Sequence, residues 1–463
     1  MGAILVGYAL LLVAALSAIA YVLGRTTGAR LKPAAGEKIH SLPGYHGAFV
    51  AVWVGIPALI LVILWAGLQG PVIDRMITAS LPAELSSGKS GAEVALLVSE
   101  VKNVAAGRMF SEPNPAIVAA AERLNAWESI AGWALLVIVV AIALGSISIT
   151  RSKLSPRFRA RNDVEKTISG LMIACSVVAI LTTLGIVVSL VYEASAFFAM
   201  VPFHEFLFGL KWEPQIALRA DQVAGQGAFG AVPVFVGTLL ISAIALVVSV
   251  PVGVFTAMYL VEYADERVRA VVKPILEILA GIPTVVFGFF AILVVAPAVR
   301  EFSMTLGLAA SPNSALAAGL VMGIMIIPFV SSLSDDALKA VPRSMRDGSL
   351  ALGATPAETV VKVLLPAALP GIMGGILLAA SRAIGETMIV AMAAGLIATM
   401  TINPLDSVTT VTVQIVTLLT GDSEFDSPKT LAAFALGLVL FVVTLTLNII
   451  ALRIVRHFRE QYE

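Results

Sequence analysis

The chain has 463 residues, of which 59% are hydrophobic and 13% charged, and a mean hydropathy of +0.96. A soluble globular domain carries roughly twice that share of charge, so the composition excludes one and favours an all-α polytopic membrane protein. The 30 basic and 30 acidic residues cancel, and no nucleic-acid partner is expected.

Cys175, the single cysteine, allows neither an internal disulfide nor a cysteine-based metal site. His40, His46, His204 and His457 show no metal spacing, and no bound cofactor is expected.

The apolar residues come in runs of about 20, the length that crosses a bilayer core. They fall near 4–23, 49–68, 130–149, 168–191, 234–260, 275–299, 315–333, 371–396 and 431–452, nine spans in all. Basic residues follow the first run, at Arg25, Arg30 and Lys32, so it reads as an anchor and not as a cleaved leader. The loop 71–128 repeats apolar residues at Val94, Leu97, Val98, Val101 and Val104, a helical period. It also holds Ala83-Glu84-Leu85-Ser86-Ser87-Gly88-Lys89-Ser90, which approximates a phosphate-binding loop. Ala83 stands at the first glycine position and no buried strand precedes it, so no nucleotide site is expected there.

Arg151, Lys153, Arg157, Arg159, Arg161 and Lys166 crowd one link. Positive loops stay in the cytoplasm, which puts the N-terminus outside and the C-terminus inside. That link, 151–167, divides an extension, 1–150, with three spans and an outside loop, from a core, 168–463. Within the core, Gly281-Ile282-Pro283-Thr284 is a candidate kink lining a cavity.

Between the seventh and eighth spans lies a polar elbow, 342–366. Residues 342–352 read as a short helix, with Gly353 as its left-handed terminator. Thr355-Pro356-Ala357-Glu358 then starts a second helix: Thr355 caps, Pro356 suits the first position and Glu358 completes the box. That helix is expected to end at Pro366. Val341, Met345, Leu350 and Leu352 supply apolar anchors that a solvated loop would not need.

Ser381-Arg382-Ala383-Ile384-Gly385-Glu386-Thr387-Met388 falls within the eighth span. Charges at the bilayer centre cost about 2.5–3.5 kcal/mol each on insertion scales and mark pathways. On one continuous helix, Arg382 and Glu386 share a face. Arg382 can then grip an oxyanion while Glu386 orients and moderates it.

The elbow resembles the loop of binding-protein-dependent ABC importer permeases: Glu-Ala-Ala, three residues, Gly, nine residues, then Ile-x-Leu-Pro. Gly353, Leu365 and Pro366 match, Val363 replaces Ile, and Asp347-Gly348-Ser349 stands for Glu-Ala-Ala. The resemblance implies a six-helix type-1 permease core, with the elbow in a groove of an ATPase subunit. It further implies that Gly353 and Ala354 allow close approach and that Asp347 fixes the elbow.

Arg382-Ala383-Ile384-Gly385-Glu386-Thr387-Met388 is similar to a signature of the phosphate-specific branch of that family. The segment 205–214 and the runs 229–263 and 277–283 agree, and the likeness is to the C-type partner. That implies inorganic phosphate as cargo, with Ser381, Arg382, Glu386 and Thr387 on its path. It also implies a second permease, ATPase subunits, a periplasmic binding protein and a bacterial inner membrane. Leu396 stands where that family often has Asn, and the extension 1–150 is unexplained by the core. Another oxyanion as cargo, or an ion-coupled secondary transporter, are the alternative readings. The intact signature opposes the first, and the absence of two matching halves opposes the second.

Overall fold

A computed structural model describes residues 2–31, 40–82, 91–108, 114–215, 227–420 and 427–459. Residues 83–90, whose sequence approximates a phosphate-binding loop, lie outside the described residues. Among the described residues, nine helices are long and apolar enough to cross a membrane, the number expected. The chain forms two compact units, Met1–Leu181 and Thr182–Glu463.

The first unit contains α1 (Gly2–Arg30), α2 (Pro43–Ser80), α3 (Gly91–Ala105) and α4 (Pro115–Lys153). Ala9 and Val13, Ala58 and Val62, and Leu135 and Val139 are spaced by four, which stacks them on one face of each helix; they bury there together. α3 follows the predicted period, with Leu97, Val98 and Val101 buried against Ile77, Ile117, Ala121 and Leu124. Lys102 pairs with Asp74 at 2.6 Å. Pro115 occupies the first turn of α4, and Asn114 caps it by accepting from the Ala116 amide at 3.0 Å. α5 (Ala160–Met200) runs across the division, and no residue between Val164 and Ala194 is buried.

The second unit opens with α6 (Phe203–Phe208) and a two-stranded antiparallel pair, β1 (Trp212–Glu213) with β2 (Ala228–Phe229). Phe197, Phe206, Trp212 and Phe229 meet edge to face in its aromatic core. Then come α7 (Val232–Tyr263), α8 (Glu266–Ala280), α9 (Thr284–Thr305) and α10 (Ala315–Ala340). The elbow helix α11 (Arg343–Ala351) leads into α12 (Pro356–Ile384). The chain closes with α13 (Met388–Ala393), α14 (Val411–Leu419) and α15 (Pro428–Arg459).

Small residues bring the spans together: Ala245, Ala315, Ala318 and Ala379 are fully buried around Ile241, Met322 and Ile326. A Cβ on Gly237 would overlap the carbonyl oxygen of Thr409. Gly237→Ala therefore forces backbone apart and should destabilise the unit by about 1–3 kcal/mol. A lowered melting temperature in detergent would show it; an unchanged one would contradict this packing.

Four expectations are corrected. The sixth span begins at Thr284, not at residue 275, because α8 is amphipathic and buries no residue. Arg269, Lys273 and Glu277 recur every four residues along it, and the break at Gly281–Pro283 separates it from α9, so that segment is a helix break and not a kink. Pro366 does not end a helix. Residues Val360–Leu364 form a wide turn in which the Leu365 amide bonds the Val360 carbonyl, and the helix continues past the proline. The eighth span stops at Ile384 and does not reach residue 396. Asp335 is a buried residue of α10.

Candidate functional site

The elbow is built by local rules. α11 ends in a paired closure, Gly353 amide to Leu350 carbonyl at 3.0 Å and Ala354 amide to Ser349 carbonyl at 3.2 Å. The closure needs a left-handed residue, and Gly353 has φ +88°. Two residues on, Thr355 accepts from the Glu358 amide at 3.3 Å, and the Glu358 carboxylate accepts from the Thr355 amide at 3.0 Å. Such a box is worth about 1 kcal/mol to the helix start.

One ion pair ties the elbow to the rest of its unit, and one hydrogen bond closes the elbow on itself. Arg346 pairs with the buried carboxylate of Glu262 at the end of α7, at 2.8 Å. Ser349 and Thr359 share a hydrogen bond of 3.0 Å. Asp347, which was expected to fix the elbow, is exposed and has no hydrogen bond or ion pair among the described residues. Its neighbour Arg346 faces Glu262 instead, one helical position away. Met345 and Val341 turn inward and line an apolar cavity of about 200 Å³ with Ala367 and Val455. Leu365 packs beside Leu338 and Ala368. Leu352, in contrast, is 91% exposed, Pro366 is exposed, and nothing lies within 4 Å of a Cβ placed on Gly353. The elbow thus presents Asp347, Leu352, Gly353 and Pro366 outward.

Arg382 lies in the last turn of α12. Its guanidinium sits 5.6 Å from the centre of the Phe329 ring, a cation–π placement that holds a charge without a counter-ion. Glu386 does not share its helix face, because the helix ends at Ile384. The Glu386 carboxylate accepts from the Met388 amide at 3.1 Å and the Ile389 amide at 3.5 Å, capping α13. No Arg382–Glu386 ion pair occurs among the described residues. The Thr412 hydroxyl donates to the Glu386 carbonyl at 2.8 Å, fixing this turn against α14. Ser381 and Thr387 are half-buried, and the Thr387 hydroxyl donates to the Gly385 carbonyl at 3.5 Å.

Arg382 opens on a cavity of about 240 Å³ between α8 and α10. Of the predicted pathway residues it alone lines that space; Ser381, Glu386 and Thr387 do not. Arg269, Lys273 and Glu277 line it from α8, and Ser331, Ser332 and Asp335 from α10. The Asp335 carboxylate, 8% exposed, accepts from Arg269 at 3.2 Å on one oxygen. Its other oxygen accepts from Lys273 at 3.3 Å and from Lys339. Sequence reading missed this cluster. The signals were present: 269, 273 and 277 spaced by four, and Asp335 four residues before Lys339. Donors with full charge suit holding an anion. Among the described residues no cluster could hold a metal ion.

The chain has relatives among known proteins. Residues 10–109 match a family model described as phosphate ATP-binding cassette transporter. Residues 249–460 match one described as binding-protein-dependent transport system inner membrane component. The chain is 33% identical over 240 residues to the probable ABC transporter permease protein YqgH of Bacillus subtilis, covering 52% of this chain and 74% of that one. It is 37% identical over 247 residues to phosphate transport system permease protein PstC 1 of Mycobacterium tuberculosis, covering 49% and 72%. It is also 35% identical over 162 residues to PstA 1 of that species, covering 35% and 50%. The first of the family matches falls on the extension that the core resemblance left unexplained.

Proposed function

From its membership of the ABC transporter permease family of the phosphate transport type, we propose that this chain carries inorganic phosphate across the membrane as one of two permeases of an importer. The observation that carries this reading is Arg382, whose guanidinium has no ion-pair partner among the described residues and opens on a cavity from the end of a span. A guanidinium grips two oxygens of a tetrahedral oxyanion at once.

In this reading a second permease completes the path. ATP is hydrolysed on separate ATPase subunits, and this chain binds no cofactor. The ATPase groove receives the elbow: Gly353 and Ala354 at the close approach, Leu352 and Pro366 as apolar contacts, and Asp347 as the charge offered to a basic residue of the groove. Leu365 anchors the elbow to its own bundle. Lipid surrounds the spans, a periplasmic binding protein delivers the phosphate, and the membrane is the bacterial inner membrane. The basic link 151–167 sets the N-terminus outside and the C-terminus in the cytoplasm.

The test is uptake of labelled phosphate by vesicles carrying this chain with the second permease, the ATPase and the binding protein. Uptake should require ATP and should exclude sulfate and molybdate. Equal uptake of sulfate, or uptake driven by an ion gradient without ATP, overturns the reading.

A further inference from the structure

We propose that the cavity between α8 and α10 is a second oxyanion station, in which phosphate replaces the Asp335 carboxylate on Arg269 and Lys273. This rests on the phosphate reading above and adds to it a site on the elbow side of Arg382, with an internal carboxylate as its occupant in the resting state.

The charge count is the first argument. Arg269, Lys273, Lys339 and Arg382 bring four positive charges to the cavity and to Asp335, against Asp335 and Glu277. Two positive charges are left over, in a space bounded by apolar Leu260, Met325 and Phe329. A hydrogen phosphate dianion balances them.

The second argument is geometric. Arg269 and Lys273 each take a different oxygen of Asp335, so their donors are already spread to fit two oxygens of one anion. The carboxylate stands where an oxyanion edge would stand. Their side chains are 32% and 41% exposed, so solvent reaches them, whereas Asp335 is 8% exposed.

The third argument is that exchange strands no charge. Lys339 lies four residues from Asp335 on the same helix and keeps its pairing when the other two partners leave. An unpaired buried carboxylate would otherwise make the exchange costly.

Position supplies the fourth. Phe329, beneath Arg382, and Asp335 are six residues apart on α10, about 9 Å at 1.5 Å per residue. Ser331 and Ser332 line the interval. An anion leaving Arg382 toward the elbow therefore meets hydroxyls and then two more cations. Release from a strong guanidinium is easier when a second weak site lies within reach.

Equilibrium binding of labelled inorganic phosphate to the whole transporter tests this, with both permeases and the ATPase in nanodiscs of zwitterionic lipid and no binding protein. Lys273→Gln should weaken binding about tenfold. Asp335→Asn, which removes the competing carboxylate, should tighten it several-fold. A purely structural ion bridge predicts no change in affinity from either, with lower melting temperatures from both, and that result overturns the station. If Asp335→Asn does not fold, Arg269→Gln replaces it and must weaken binding as Lys273→Gln does; unchanged affinity overturns the station. Repeating the wild-type measurement in phosphatidylglycerol separates free phosphate from a lipid headgroup. Unchanged binding there supports the station, and loss of binding assigns the cavity to the headgroup and overturns it. A wild-type transporter that neither binds nor takes up phosphate fails the function itself. One that transports, but whose variants stay within twofold of its affinity, fails only the station.

Discussion

Arg382→Gln should reduce phosphate uptake at least a hundredfold in membranes where the chain still inserts and assembles. The glutamine is two bonds shorter but keeps a polar end, so most of the cavity wall survives. It loses the charge and the forked pair of donors. A charge-assisted hydrogen bond contributes about 1.5–3 kcal/mol, and Arg382 has no carboxylate partner among the described residues to share the loss. Two such bonds removed from a bound oxyanion account for the fold-change. Arg382→Lys retains charge without the fork and should fall between wild type and glutamine. Uptake at the wild-type rate in a well-expressed Arg382→Gln protein would remove Arg382 from the path.

Gly353→Trp should detach the ATPase while leaving the permease folded. The position has φ +88°, which costs an L-residue about 1–2 kcal/mol. That strain is local, since nothing in the chain lies within 4 Å of an added Cβ. The indole therefore projects into the space where the elbow meets its partner. Gly353→Ala separates the effects, because it carries the strain without the bulk and should weaken association only modestly. The readout is the amount of ATPase that co-purifies with the tagged permease. Wild-type stoichiometry with the tryptophan variant would move the docking site elsewhere.

Much of this architecture was legible because membrane spans are set by run length, and runs can be counted. Gly353, Thr355 and Glu358 were legible for another reason: caps and left-handed turns are decided by a few neighbouring residues. The errors arose where an apolar run continued past a change of structure. Ile275–Ala280 reads as the start of a span, yet Arg269, Lys273 and Glu277 place a polar stripe beside it and Pro283 breaks the helix. Met388–Ala393 reads as the end of a span, yet Glu386 turns back to cap a new helix. Asp335 was hidden because two of its three ion-pair partners, Arg269 and Lys273, are residues whose relation to it only tertiary structure reveals. Sequence shows which charges lie inside the membrane, but packing decides which of them meet.

The exposed length of α5 bears on how the protein is made. Its apolar stretch has a mean hydropathy of 2.6, against 2.0 for the spans of α9 and α12. No residue from 165 to 193 is buried in the finished chain. A segment apolar on every side is as content in lipid before its neighbours exist as after, so it can partition from the translocation channel alone. α12, which carries Arg382, emerges later and has partners already in the bilayer to receive it. The order of the helices along the chain thus lets synthesis place the most lipid-compatible span of the core first and the charge-bearing one after it.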